Sequence, residues 1–174
     1  LAIDKHDHLI KTLELTNGWI NNCDTKTSFI LGFYGVVGAV LVALLENAGI
    51  FSTLRLIVCD FSFGGVLFIL LFAAAIICSV YGVVKLILVI YPRIYKGAST
   101  TMFFGGVAAY KDLAAYTNAV LTQKDDDLLK DICVQIYAAS KICDKKFKHY
   151  RQGLIWTLLG CAMFAVLLVV NSGF

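Results

Sequence analysis

The side chains in this chain that could do chemistry are few and scattered. Its three histidines are His6, His8 and His149. His6 and His8 are two residues apart, on different sides of a helix, and no cysteine or glutamate completes a zinc set with them. The six cysteines, Cys23, Cys59, Cys78, Cys133, Cys143 and Cys161, contain no C-x-x-C pair. Asp125, Asp126 and Asp127 suggest a divalent ion, but three consecutive carboxylates point around a helix end and do not converge, so they read as a solvated N-terminal cap. No nucleophile elbow, P-loop or H-E-x-x-H motif occurs. Neither an enzyme, a metal site nor a cofactor is expected.

Binding asks for less. The most unusual stretch is Met102-Phe103-Phe104-Gly105-Gly106. A glycine inside a helix costs about 1 kcal/mol relative to alanine, so the pair is expected at the entrance to a helix over 107–121. Backbone N–H groups and the helix dipole there suit an anion, and Phe103 and Phe104 suit stacking on a flat base. The competing reading is structural: the phenylalanines anchor a core or an interface, and the glycines turn the chain.

These residues must be positioned by elements that the composition already constrains. Of 174 residues, 59% are hydrophobic and 16% charged, and the mean hydropathy is +0.79, all displaced toward membrane proteins. Residues 28–45, 61–84 and 153–170 contain no charge, and each run is close to the ~20 residues that cross the hydrocarbon of a bilayer. A soluble α-helical protein would need polar neighbours to cover all three runs, and too few residues remain. The expected fold is an all-α membrane protein with three transmembrane helices. A small helical cytosolic domain is formed by the N-terminal helix and the segment between the second and third spans.

The expected order is an amphipathic cytosolic helix over 1–27, a first span over 28–45, a short outside loop over 46–60 and a second span over 61–91. A cytosolic helical sensor region over 92–152, a third span over 153–170 and an outside tail over 171–174 follow. Lys5, Lys11 and Lys26 precede the first span, Arg55 alone lies between the first two, and ten basic residues from Arg93 to Arg151 lie between the second and third. The positive-inside rule therefore puts the N-terminus and the middle region in the cytoplasm and the C-terminus outside. The first span begins too far along for a simple signal peptide. Cys23, Cys133 and Cys143 then face a reducing compartment and Cys78 and Cys161 lie in the membrane, so reduced structural cysteine is expected.

Ile3, Ile10, Leu13, Asn17 and Ile20 share one helical side, and 21–27 holds no glycine or proline to stop that helix before the first span. In that span Gly35 and Ala39 form a small-x-x-x-small pair, open to oligomerisation or to packing within one chain. Lys85 in the second span reads either as a lysine snorkelling to the interface or as a polar residue lining a pore, and Pro92 closes the helix. From 125 to 170 no proline occurs. Leu128, Leu129, Ile132, Ile136, Ser140, Cys143, Phe147 and Tyr150 recur on one face of its first half. Lys141, Lys145, Lys146, Lys148 and Arg151 make a basic patch just before the third span, suited to anionic lipid. One helix is expected to join the soluble region to the membrane.

Taken in order, Asp24-Thr25-Lys26 before the first span, Tyr91-Pro92-Arg93 after the second, Phe103-Phe104-Gly105, the acidic helix start, Gln135-Ile136, Lys141, Lys146 and the final span resemble the transmembrane effectors of bacterial Pycsar systems. The resemblance runs from about Asn17 to Val170. It departs at Gly106, where the family's pattern has a larger side chain. The resemblance implies an antiphage defence effector of the bacterial inner membrane. Such an effector senses cyclic UMP or cyclic CMP made by a partner nucleotide cyclase, and impairs the membrane, causing growth arrest or cell death. It implies a homo-oligomer in the lipid bilayer and no nucleic acid polymer as partner. An effector answering a cyclic oligonucleotide, or a small channel or membrane scaffold without nucleotide sensing, are the alternatives.

A cyclic mononucleotide offers a phosphate, a flat base and a ribose hydroxyl. The residues proposed to meet it are the backbone at Gly105 and Gly106, Phe104 or Tyr110 for stacking, Lys26 or Lys111 for charge, and Gln135 or Asn22 for the base edge. Asp24 and Lys26 are equally able to pair with each other or with Lys141 and Asp144.

Overall fold

A computed structural model describes residues 5–59, 63–92 and 101–171. Expectations for Ile3, Arg93 and the tail beyond Asn171 fall outside these residues. Among the described residues there are six helices and no strand: α1 Lys5–Asn47, α2 Ile50–Cys59, α3 Phe63–Ile90, α4 Phe104–Val107, α5 Leu113–Thr122 and α6 Asp125–Asn171. Three of them, α1, α3 and α6, are long and apolar enough to cross a membrane. The chain divides into two compact units, the first Leu1–Cys23 with Pro92–Lys146, the second Asp24–Tyr91 with Phe147–Phe174.

The second unit is built around the antiparallel contact of α3 and α6. On α3, Phe68, Ala75, Gly82 and Val89 are buried at seven-residue spacing, and on α6 Gly153, Gly160 and Leu167 repeat the same period. That period keeps one seam facing a partner helix. Gly82 lies on Thr157, Gly153 on Leu86 and Gly160 on Ser79, so numbers rise along one helix as they fall along the other. Small residues let the backbones meet, the packing that substitutes for hydrophobic driving force in lipid.

At one end of the seam Leu45, Ile50, Phe68, Ala75 and Leu167 form the core, with Phe72 set edge-on between Phe51 and Phe164 at 6.4 and 6.1 Å. Much of the remaining apolar surface is open, with Phe29 at 77% and Phe33 at 64% exposure, as suits side chains that face hydrocarbon. Gly32, Gly35 and Gly38 have open space where a β-carbon would stand. The packed glycines are thus on α3 and α6, not on α1.

The connection over 46–60 contains a helix of its own, α2. Gly49 ends α1 and starts α2: its φ of +68° is the left-handed region that glycine enters without steric cost. There the Ala48 and Gly49 amides donate to the carbonyls of Leu44 and Glu46, both at 2.9 Å. The Asn171 amide donates to the Ala48 carbonyl at 2.7 Å and ties the end of α6 to the same turn. Pro92 follows α3, which ends at Ile90. Within α3, Lys85 Nζ stands 5.1 Å from the centre of the Tyr81 ring.

In the first unit the N-terminal part of α1 is helical without a break at Gly18, and α6 starts at Asp125 with all three aspartates in its first turn. Asp127 pairs with Lys130 at 3.0 Å on the surface, and this holds the lysine above its ordinary value. The buried side of α6 differs from the expected one near the basic cluster. Ile132, Ala138, Cys143 and Lys146 are buried, whereas Phe147 is 47% exposed. Lys146, 5% exposed, is not without a partner, and its aliphatic stem makes such burial tolerable. Lys141, Lys145, Lys148 and Arg151 are exposed.

Candidate functional site

The first unit contains a cavity of about 410 Å³, within the range of small-ligand sites. From α1, Leu13, Asn17 and Ile20 reach it, one face at four- and three-residue spacing. From α6, Val134, Gln135, Ala138, Ala139 and Ile142 reach it on the same principle. The third wall is Met102, Phe103 and Phe104. The two phenylalanine rings lie 4.5 Å apart at 50°. The lining is apolar apart from two amides, Asn17 and Gln135, each able to donate and to accept. Such a site suits a flat apolar group whose edge carries both donors and acceptors.

The local chain explains the wall. Gly105 and Gly106 are inside the single turn of α4, which starts after Phe103 with no side-chain cap. The helix expected over 107–121 starts only at Leu113, as α5, after a turn over 108–112: Asp112 caps it, its Oδ1 accepting the Ala115 amide at 2.8 Å. One turn of helix sums too few peptide dipoles to act as the anion site that a longer helix would offer. What the glycines provide is room. A β-carbon on Gly105 would stand 2.8 Å from the Phe103 ring, and Gly106 is buried.

Of the residues singled out from the sequence, Phe104 and Gln135 line the cavity, with Gly105 and Gly106 next to its wall. Phe104 is 68% exposed and Gln135 half-buried. Tyr110 does not line it; its ring packs edge-on against Tyr116 at 5.5 Å. Lys111 is exposed and also outside the lining. Lys26 belongs to the second unit, is exposed, and does not line the cavity; Asn22 is exposed and does not line it either. Asn17 lines the space beside Gln135 where Asn22 does not, and Phe103 and Phe104, both suited to stacking, form the wall without Tyr110. The signal for Asn17 was present: an asparagine on the otherwise apolar side of Ile10, Leu13 and Ile20. Beside the lining, Cys143 is buried, and burial pushes its thiol above the ordinary range, with Asp144 adding to the effect.

The Pycsar effector protein domain family matches residues 8–171. The Pycsar effector protein GmPycTM of Gulbenkiania mobilis is 29% identical, over 92% of this chain and 90% of that protein. The Pycsar effector protein PtPycTM of Propioniciclava tarda is 25% identical, over 89% of this chain and 74% of that protein. No solved structure matches the chain. With a family match over nearly its whole length and three helices able to cross a membrane, this chain belongs to the Pycsar effector family, the membrane effectors of an antiphage defence.

Proposed function

We propose that this protein senses a cyclic mononucleotide, cyclic UMP or cyclic CMP, in the cavity of its first unit, and then impairs the inner membrane, arresting or killing the infected cell. The observation that carries this reading is α6: one unbroken helix holds the cavity-lining Gln135 and, further on, the charge-free stretch 153–170. In this reading a change in how the 134–142 face packs is passed along the same helix that enters the membrane.

In this reading the base lies against Phe103 and Phe104 and its edge meets Gln135 and Asn17. Gly105 and Gly106 leave room beside that wall for the nucleotide, with Tyr110 nearby in the chain. Lys111 of the same unit, exposed and outside the lining, is the charged side chain to test against the phosphate. The basic residues before the first span and between the second and third support a topology with both of these regions in the cytoplasm and the C-terminus outside. A nucleotide cyclase supplies the signal, and a homo-oligomer in the bilayer responds. Ligand must bind the active assembly more tightly than the resting one, or no shift follows.

The test is calorimetry and dye leakage from liposomes holding the purified protein, with cyclic UMP, cyclic CMP and a cyclic oligonucleotide. Binding and leakage with a cyclic mononucleotide are expected. Phe104→Ala and Gln135→Ala should weaken binding about tenfold, the order of a lost stacking or hydrogen-bond contact. Gly106→Val should abolish it, and Lys26→Ala and Lys111→Ala measure whether either lysine supplies the charge. Neither binding nor leakage with either mononucleotide would remove the reading.

A further inference from the structure

The neck of the α4–α5 segment is closed by a polar network that the cavity itself does not use. Thr101 donates its hydroxyl to Gln123 Oε1 at 2.8 Å, and Gln123 Nε2 donates to Asp131 Oδ2 at 2.9 Å. Thr101 Oγ1 also stands 3.3 Å from Asp131 Oδ2. A hydroxyl has one proton, so the shorter bond to Gln123 takes it. The amide orientation follows from chemistry: the opposite one would set Gln123 Oε1 against a carboxylate. From the other side Tyr116 donates its hydroxyl to the Thr101 carbonyl at 3.3 Å. All four residues are half-buried, where such bonds are less easily replaced by water.

Placement gives the network its meaning. Thr101 immediately precedes Met102, Phe103 and Phe104, the third wall of the cavity. Gln123 is the residue that ends α5. Both ends of the 101–123 segment thus meet each other and a single carboxylate. Asp131 is on α6, one turn before Gln135. We propose that Thr101, Gln123 and Asp131 form a clasp that fastens the α4–α5 flap to α6 and so positions the phenylalanine wall against the Gln135 face. These are positioning residues. The consequence for ligand binding rests on the cyclic-nucleotide reading of the cavity; the clasp itself does not.

Hydrogen–deuterium exchange of the full-length, ligand-free protein in lipid nanodiscs tests it. Thr101→Val keeps the shape and removes the hydroxyl; Thr101→Ser keeps the hydroxyl. In Thr101→Val and in Gln123→Leu, amides over 104–109 should exchange on the order of fivefold faster, the worth of one lost hydrogen bond. Those of α3 should stay as in the wild type, and Thr101→Ser should exchange like the wild type throughout. Wild-type exchange in Thr101→Val, or equal acceleration in the Val and Ser variants, would overturn the clasp. A wild-type titration with cyclic UMP and cyclic CMP separates the two ideas. Absence of binding to both would remove the nucleotide reading, while the exchange result still decides the clasp.

Discussion

Gly82 of α3 and Thr157 of α6 meet backbone to backbone: a β-carbon on Gly82 would stand 2.6 Å from the Thr157 amide nitrogen. Thr157 is itself buried, and its hydroxyl donates to the Gly153 carbonyl at 2.9 Å. The contact is therefore between two main chains and cannot be relieved by swinging a side chain aside. Gly82→Ala should lower thermal stability in detergent by about 1–3 kcal/mol, the usual cost of overpacking. Gly35→Ala, with open space at its β-carbon, should leave the melting temperature of the single chain unchanged or higher. Equal effects in a thermal-shift series would contradict the α3–α6 seam.

Gly18 is in the middle of α1 with nothing within 4 Å of its β-carbon position. Alanine there restricts the unfolded chain without a clash, and should stabilise the protein by roughly 0.5–1 kcal/mol. Unfolding followed by circular dichroism is the measurement; a loss of stability would mean that a partner covers this face.

Asp112 caps α5 through the Ala115 amide. Asp112→Ala should cost about 1 kcal/mol, and Asp112→Asn should retain most of the cap. Faster amide exchange at Ala115 in the alanine variant alone is the expected signature.

Asn171 joins the end of α6 to the α1–α2 turn through the Ala48 carbonyl. Asn171→Leu should destabilise the protein by about 1 kcal/mol in unfolding measurements, the worth of one such bond. No change would show that water replaces the amide at no cost.

Cys133 is exposed and Cys143 buried, with its thiol pushed up by that burial. The thiolate is the reactive form, and a raised thiol value leaves less of it near neutral pH. At pH 7.5 iodoacetamide should label Cys133 well before Cys143. Raising the pH should speed Cys143 throughout, and its rate should go on rising above the pH at which an ordinary thiol levels off. Mass spectrometry of the two peptides over time gives the comparison.

The three helices able to cross a membrane and the length of α6 were legible because hydrophobic windows and the absence of proline are local properties. Nothing distant can hide a run such as 153–170. The face of α6 was less legible. Around Lys146 and Phe147 the pattern offers either residue to the inside, and only the neighbours decide which is covered. The same holds for the glycines: Gly35 and Ala39 have the spacing of a packing motif, but Gly82, Gly153 and Gly160 are the ones in contact.

For the cavity, the sequence by itself determined that a Phe-Phe-Gly-Gly stretch needed an explanation, and that an aromatic wall and an amide at Gln135 suited a flat ligand. Tertiary structure decided that Asn17 joins them and that Lys111 and Lys26 do not line the space. It also decided that the helix expected from 107 begins only after its Asp112 cap. The physical reason is the same throughout. Helix period and hydrophobicity are written in neighbouring residues. A cavity is the space left between helices far apart in sequence, and its lining depends on how they pack.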